Sequence, residues 1–214
     1  LLDYNWFQNM EKRYKGLVPN GSMKLLGTKY ALLRSEFAEA RNKIKSRSGP
    51  VNRIFVYFGG SDPYNLTGMA LRALSETELA HLAVDVVIGE NNQYRAEIEK
   101  LVSSRNLTHL YSQVNQMATI MVKADLAIGS GGVNTWERMC LRLPALVISF
   151  AENHKVLLGD LAKNEHVHYL GSASNVSDSI IKKGILDKIS NTSIQPEQSN
   201  DIFQLVDAQG TGKV

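Results

Sequence analysis

The stretch "DLAIGSGGVNTWERMCLRLPALVIS", residues 125–149, has the order strand, glycine turn, helix, strand. Its two apolar runs are short and continuous, which is typical of strands buried on both faces of a parallel sheet. Between the first run and the helix stands "GSGG" (129–132), where larger side chains would contribute more to packing. The stretch therefore predicts a βαβ unit. Its turn lacks side chains, which leaves the main chain there open to close approach.

The same alternation extends from this unit in both directions along the chain. Helical patterns separate six short apolar runs, at 53–58, 81–89, 107–112, 125–130, 144–149 and 167–171. Alternating strands and helices imply right-handed crossovers and a parallel sheet. We predict an α/β fold with a six-stranded, doubly wound, Rossmann-like parallel sheet and a further helix over 176–190.

Composition restricts the class of protein and its partners. The chain has 214 residues, of which 43% are hydrophobic and 21% charged, as in ordinary soluble globular proteins. The net charge of +3 is too small to indicate nucleic-acid binding, and no apolar run approaches the roughly 20 residues of a membrane span. The single cysteine, Cys140, excludes an intrachain disulfide and fits a reducing cytoplasm. We therefore expect a cytoplasmic protein with no nucleic-acid partner, no membrane span, no cofactor and no metal.

In open parallel sheets, ligands bind beyond the carboxyl ends of the strands, so the loops that follow strands are the candidate sites. The first is Gly59-Gly60-Ser61-Asp62, after the strand at 53–58. Two glycines allow a close approach to the main chain, and a following helix start would attract an anion. The alternative interpretation is a strand-to-helix turn in which Ser61 or Asp62 is the N-cap. The local sequence leaves both open.

The second loop is the glycine turn 129–132, which also follows a strand and opens a helix. A helix N-terminus carries about half a positive charge, and bare glycines let a diphosphate contact the main chain. The turn is neither a GxGxxG fingerprint nor a P-loop. Glu137, five residues beyond the turn, is a candidate for binding both hydroxyls of a ribose. It could also be a surface residue that pairs with Arg138 or Arg142.

The third loop, Glu152-Asn153-His154, follows the strand at 144–149. Its polar side chains would lie at the same edge of the sheet and could hold a sugar. Alternatively, Asn153 caps the next helix and His154 is exposed. No Cys, His or Asp stands at metal-ligand spacing from His154.

Two segments together resemble the PseG/SpsG-like family of UDP-sugar hydrolases, which are related to MurG-type glycosyltransferases of GT-B architecture. They are "FGGSDPYNLT" (58–67) and "ADLAIGSGGVNTWERMCLRLPALVISFAENH" (124–154). The segment 14–37 is similar to the interdomain segment of that family, and 206–214 to its C-terminal end. The resemblance implies release of UDP from a diacetamido-trideoxy sugar, as in UDP-2,4-diacetamido-2,4,6-trideoxy-β-L-altropyranose hydrolase of pseudaminic acid synthesis.

The resemblance also implies roles for the three loops. The glycine loops would contact the diphosphate, the acidic helix residue the uridine ribose, and the third loop the sugar. The third loop of relatives usually ends in Gln, where this chain has His154. The implied UDP-sugar-binding residues are Gly59, Gly60, Ser61, Asp62, Ser130, Gly131, Gly132, Glu137, Glu152, Asn153 and His154.

The resemblance further implies a division of the chain. Residues 1–50 would be the last piece of an N-terminal domain and its connection, and 51–214 a nucleotide-sugar-binding domain. In the family the catalytic histidine lies in a glycine-rich stretch of the N-terminal domain, which this chain does not contain. We therefore expect no catalytic residue in this chain, weak UDP-sugar binding without turnover, and its own N-terminal domain as a partner. A GT-B glycosyltransferase C-terminal domain and a non-catalytic sugar-nucleotide-binding module are the alternatives.

Overall fold

A computed structural model of the chain describes residues 1–150, 152–190 and 196–214, with side chains except at 152, 153 and 196–199. Its strands are β1 (Leu2–Asp3), β2 (Leu25–Leu26), β3 (Arg53–Tyr57), β4 (Ala83–Ile88), β5 (Thr108–Ser112), β6 (Leu126–Ser130), β7 (Ala145–Ser149) and β8 (His168–Ser172). Its α-helices are α1 (Met10–Arg13), α2 (Ser35–Arg41), α3 (Leu66–Leu74), α4 (Arg95–Ser103), α5 (Met117–Met121), α6 (Val133–Cys140), α7 (Glu152–Lys163), α8 (Asp178–Ser190), α9 (Pro196–Gln204) and α10 (Gly210–Lys213). Two 3₁₀ turns lie at Thr28–Tyr30 and Thr77–Leu79.

The main sheet has six parallel strands in the order β5-β4-β3-β6-β7-β8. The prediction of a six-stranded, Rossmann-like parallel sheet is therefore confirmed. The chain runs from β3 outward to β5 on one side and then returns to place β6 directly beside β3. The strand order thus reverses between β3 and β6, and a crevice forms at the carboxyl ends of strands at such a point.

Each strand contributes alternate side chains to two separate hydrophobic layers, as the period of two in a β-strand requires. In β3, Ile54 and Val56 are buried on the face covered by α3, α4 and α8. Phe55 is buried on the opposite face, which α2, α5, α6, α7 and α9 cover. Both faces of the sheet are therefore packed, which accounts for the continuous apolar runs in the sequence.

Residues 1–50 pack against the C-terminal end of the chain. Two short strands of this segment, β1 and β2, pair in parallel. The Thr28 hydroxyl donates to the carbonyl of Leu205, and the Thr211 hydroxyl donates to the carbonyl of Leu33 over 3.1 Å. Phe37, on α2, is fully buried in the same hydrophobic cluster as the side chains of α5 and α6. The segment thus forms part of the packed structure, and its origin in an N-terminal domain stays a prediction.

Candidate functional site: a crevice between two glycine loops

The two glycine loops begin on neighbouring strands. In the register of β3 and β6, Tyr57 pairs with Gly129. Adjacent strands lie about 4.8 Å apart, so the loop after Tyr57 and the loop after Gly129 start side by side. A Cβ atom on Gly129 would lie 2.5 Å from the carbonyl oxygen of Tyr57, so only glycine fits at this position. The predicted first and second loops therefore flank the crevice between β3 and β6.

Both loops present main-chain amides without partners. In the described part of the chain, no hydrogen bond uses the N–H groups of Gly59, Gly60 and Ser61 in the first loop. The same holds for the N–H groups of Gly131 and Gly132 in the second loop. Unpaired amides at a strand-to-helix turn are a favourable environment for an anion. This arrangement can bind phosphate oxygens through the main chain.

The turn in each loop depends on one glycine with left-handed backbone. Gly59 has φ of 93° and Gly132 has φ of 91°, a region that residues with a Cβ rarely adopt. Gly132 is also the residue that precedes α6 as its N-cap, and it has no side chain to bond the free amides of the first turn. The positive end of α6 therefore remains available to a ligand.

Asp62 has a different environment from the glycines that precede it. It is 1% exposed, and its carboxylate accepts hydrogen bonds from the N–H groups of Leu66 at 2.9 Å and Thr67 at 2.8 Å. These are amides of the first turn of α3, so Asp62 stabilises this helix start, but the N-cap residue is Asn65 and the prediction of Ser61 or Asp62 as the N-cap is wrong. As the N-cap, Asn65 accepts a hydrogen bond from Gly68 N–H over 3.1 Å. The first loop thus offers an anion its amides at 59–61 and not the end of α3.

Glu137 is buried, so its interpretation as a surface residue is wrong. The residue is 7% exposed, and its carboxylate lies 3.8 Å from the guanidinium of Arg34. Burial raises the pKa of Glu137, while the charges of Arg34 and Arg138 oppose that rise. The charge of Glu137 also adds to the burial that raises the pKa of Tyr57, at the end of β3. The carboxylate therefore lies beside the crevice, in a low-dielectric environment.

His154 joins the third loop to the second. A Cβ on Gly131 would lie 3.2 Å from Nδ1 of His154, and a Cβ on Gly132 would lie 3.7 Å from its Cε1. The imidazole packs edge-on to the ring of Phe150, with 5.7 Å between ring centroids. Its buried Nδ1 has no hydrogen-bond partner in the described structure, and burial lowers the pKa of His154. A neutral imidazole with a free nitrogen thus lies against the second glycine loop.

The other two residues predicted in the third loop cannot be placed in the same way. Glu152 and Asn153 lie at the start of α7, but their side chains are outside the described residues. Ser130, at the end of β6, is 2% exposed and contributes its main chain to the loop. Ser61 is exposed at the tip of the first loop.

The loop after β4 supports the first glycine loop, and the sequence reasoning missed it. A Cβ on Gly89 would lie 2.1 Å from the carbonyl oxygen of Gly60, so the two main chains are in direct contact. Asn92, in the same loop, is 5% exposed, and its Nδ2 has no partner among the described atoms. The signal was the glycine that ends the apolar run at 81–89, at the same sheet edge as the loops already identified.

Other features of the described residues lie away from this crevice. A groove of about 460 Å³ runs between α2 and α5, and Glu36, Lys43 and Thr119 are among its lining residues. None of the predicted site residues lines it. Among the described helices none has the length and apolar character to cross a bilayer. Within the same residues, no three His, Cys, Asp or Glu side chains are grouped as metal ligands.

Several curated proteins share sequence similarity with the chain. An uncharacterized protein of Methanocaldococcus jannaschii is 32% identical over 149 residues, which are 67% of this chain and 31% of that protein. The spore coat polysaccharide biosynthesis protein SpsG of Bacillus subtilis is 28% identical over 153 residues, covering 71% of the chain and 45% of SpsG. A UDP-N-acetylglucosamine–N-acetylmuramyl-(pentapeptide) pyrophosphoryl-undecaprenol N-acetylglucosamine transferase of Rickettsia peacockii is 26% identical over 75% of the chain and 45% of its own length. The chain thus spans less than half the length of these relatives.

Solved structures share the fold at low sequence identity, and no protein-family profile matches the chain. MurG of Acinetobacter baumannii superposes with a TM-score of 0.58 over 91% of this chain and 56% of MurG, at 16% identity. UDP-GlcNAc 2-epimerase of Neisseria meningitidis, solved bound to UDP-GlcNAc, superposes with a TM-score of 0.56 over 76% of this chain and 43% of its own, at 17% identity.

The sequence relatives and the structural neighbours are both consistent with the topology of the sheet. The strand order, the switch point and the structural neighbours are those of a Rossmann-like half of GT-B type. The sequence relatives include SpsG and an N-acetylglucosamine transferase. The fold of the chain is therefore that of the Rossmann-like half of GT-B glycosyltransferases.

Proposed function

We propose that this chain is the donor-binding half of a GT-B type enzyme and that its crevice binds a UDP-sugar. The observation that carries the proposal is the set of unpartnered amides in the two loops that flank the switch point. A pyrophosphate placed there would accept hydrogen bonds from Gly60 and Ser61 on one side and from Gly131 and Gly132 on the other. The N-terminal end of α6 would add a favourable electrostatic contribution.

The remaining site residues fit the other parts of such a ligand. Glu137 is a buried carboxylate beside the crevice, and it can accept hydrogen bonds from both ribose hydroxyls. His154 lies against the second loop and can meet the β-phosphate or the sugar. Glu152 and Asn153 are proposed to contact the sugar from the start of α7. Asp62 acts indirectly, because its carboxylate fixes the helix that follows the first loop.

The reaction proposed for the whole protein is transfer of the sugar from UDP to an acceptor in polysaccharide synthesis. Its support is the sequence likeness to SpsG and to the Rickettsia transferase, together with the likeness of fold to MurG. In either transfer or hydrolysis, negative charge develops on the departing UDP. The two loops would stabilise that charge with amides fixed before the reaction begins.

Hydrolysis of the UDP-sugar is the second candidate. It is favoured by the sequence elements "FGGSD" and "SGGVNTWE", on which the resemblance to PseG/SpsG-like hydrolases rests, and by the similarity to SpsG. The product of the complete reading frame should be supplied with a UDP-sugar, with and without candidate acceptors. Acceptor-dependent release of UDP supports transfer, whereas equal release of UDP and free sugar without an acceptor supports hydrolysis.

The binding proposal is tested by isothermal titration of the chain with UDP and with uridine. We expect UDP to bind more tightly than uridine, because only UDP carries the diphosphate. Gly132→Ala should weaken UDP binding, since a Cβ is strained at φ of 91° and the amides would turn away. Gly159→Ala is the matched control, because Gly159 lies inside α7 with nothing within 4 Å of the added Cβ. Equal affinity for UDP and uridine, or equal effects of the two substitutions, would contradict the proposal.

A further inference from the structure

Arg138 is a fully buried cation behind the second glycine loop. The residue lies on α6 and is 2% exposed. Its Nη2 donates to the carbonyl oxygen of Ser130 over 2.8 Å and to the Thr135 hydroxyl over 3.3 Å. Its Nη1 lies 2.9 Å from the point that a Cβ on Gly129 would occupy. The guanidinium therefore fills the space beneath residues 129–130, where the glycine turn begins.

The charge of Arg138 has no close counter-ion in the described part of the chain. No described carboxylate lies within 4.0 Å of its guanidinium, and Nε has no hydrogen-bond partner there. Burial lowers the pKa of Arg138 to about 10, against which the neighbouring charge of Glu137 acts, so the side chain stays charged at neutral pH. A buried charge is costly unless it is paired. A cation left in this condition is suited to an anion that arrives from outside.

The hydrogen bond from Arg138 also sets the direction of the loop's main chain. The carbonyl oxygen of Ser130 is held toward the buried guanidinium and away from the crevice. A carbonyl turned toward the crevice would repel phosphate oxygens, since both carry negative charge. With this carbonyl fixed, the amides of Gly131 and Gly132 are the groups that an incoming ligand meets.

We propose that Arg138 is the positioning residue and buried counter-charge that makes the second glycine loop prefer a diphosphate over an uncharged nucleoside. The inference rests on the proposed function of the crevice and adds a residue that acts on the ligand through the loop. Arg138 does not touch the ligand. It fixes the Ser130 carbonyl and supplies a positive charge at low dielectric, where the attraction for an anion is least screened.

The test compares UDP and uridine binding to the intact chain and to two variants. Arg138→Met removes the charge and the donors, and should weaken UDP binding about tenfold or more while changing uridine binding less than about twofold. Arg138→Lys keeps the charge and should restore part of the lost UDP affinity without restoring the two-donor geometry. Parallel loss of UDP and uridine affinity would show a purely structural role and overturn the inference.

A measurement on the unmodified chain keeps the inference testable if Arg138→Met does not fold. The Nε–H of Arg138 is buried and should give a resolved side-chain signal in a ¹⁵N correlation spectrum. Saturation with UDP should shift this signal, whereas saturation with uridine should leave it in place. An unchanged signal at saturating UDP would overturn the inference, while the absence of any UDP binding to the unmodified chain would instead overturn the proposed function.

Discussion

At the scale of single residues, the proposed ribose contact depends on the buried carboxylate of Glu137. Its surroundings are charged on several sides: Arg34 at 3.8 Å, Arg138 on the same helix, and Glu36 beyond Arg34. The carboxylate makes no hydrogen bond in the described structure, so both oxygens are free to accept from a ligand. A hydrogen bond to a charged group contributes about 1.5–3 kcal/mol.

We therefore predict that Glu137→Gln weakens UDP binding by roughly ten- to a hundredfold. Binding of 2′,3′-dideoxy-UDP should hardly change, because that ligand lacks the hydroxyls that Glu137 would bind. Glu39→Gln, an exposed position on α2, is the matched control. Titration calorimetry measures both ligands, and an equal loss for both would remove the ribose role.

The same residue predicts a dependence on pH. Burial raises the pKa of Glu137, so its carboxylate takes up a proton at a higher pH than an ordinary glutamate does. As pH falls through that raised pKa, the charged acceptor is lost. The ratio of UDP to 2′,3′-dideoxy-UDP affinity should then fall as well. Both ligands carry the same diphosphate, so its protonation affects both affinities alike and does not change their ratio.

The environment of His154 leads us to predict that this residue takes up a proton when a diphosphate binds. Burial lowers the pKa of His154 in the free chain, so the imidazole is neutral near neutral pH. A phosphate beside Gly131 would favour the charged form and raise that pKa. Calorimetry in two buffers of different ionisation enthalpy should therefore give different heats for UDP. His154→Gln should reduce the difference, since only proton exchange by the ligand's phosphates would then remain, and identical heats for the unmodified chain in both buffers would contradict the placement of His154.

At the scale of elements, the charged segment before β3 makes contacts that its composition does not predict. The run "EARNKIKSRSGPVNR" (39–53) is rich in charge and is typical of a solvated connection. Arg47 within it is half-buried against two helices, however. Its guanidinium donates to the carbonyls of Ala124, Met121 and Leu141, near the C-terminal ends of α5 and α6. A cation there satisfies carbonyls that a helix end leaves free.

We predict that Arg47→Met destabilises the chain by on the order of 3 kcal/mol, because several carbonyls lose their donor at once. Lys45→Met, an exposed position in the same segment, should change the free energy of unfolding by less than about 0.5 kcal/mol. Urea unfolding followed by circular dichroism measures both. Equal stability of the two variants would mean that Arg47 does not fix α5 and α6.

At the scale of the whole molecule, the sheet was predictable and the environment of its charged residues was not. Six apolar runs separated by helical patterns are sufficient to predict six parallel strands, because only buried strands are apolar on both faces. The two glycine loops follow from the same pattern. The burial of Glu137 and Arg138 does not, since a charged pair on a helix ordinarily faces solvent. Here Arg34, just before α2, lies against Glu137 across a hundred residues of sequence, and Arg138 lies under the glycine turn that follows β6.

Contacts between distant loops were missed for a related reason. The packing of Gly89 on Gly60 depends on the adjacency of β3 and β4 and on the exact height at which each strand ends. The contact of His154 with Gly131 likewise depends on the direction in which α7 leaves β7. Neither the hydrophobic periodicity nor the composition of the sequence gives the height at which a strand ends or the direction in which a helix leaves it. The first position of each loop was therefore predictable, and the way the loops support one another was not.

The central claim is that the unpaired amides of the two glycine loops hold a pyrophosphate across the switch point between β3 and β6. A crystal structure of the chain with UDP is the most direct measurement. We predict phosphate density within hydrogen-bond distance of the N–H groups at 59–61 and 131–132, with the ribose directed toward Glu137. Density for the diphosphate elsewhere, with these amides facing only solvent, would contradict the claim.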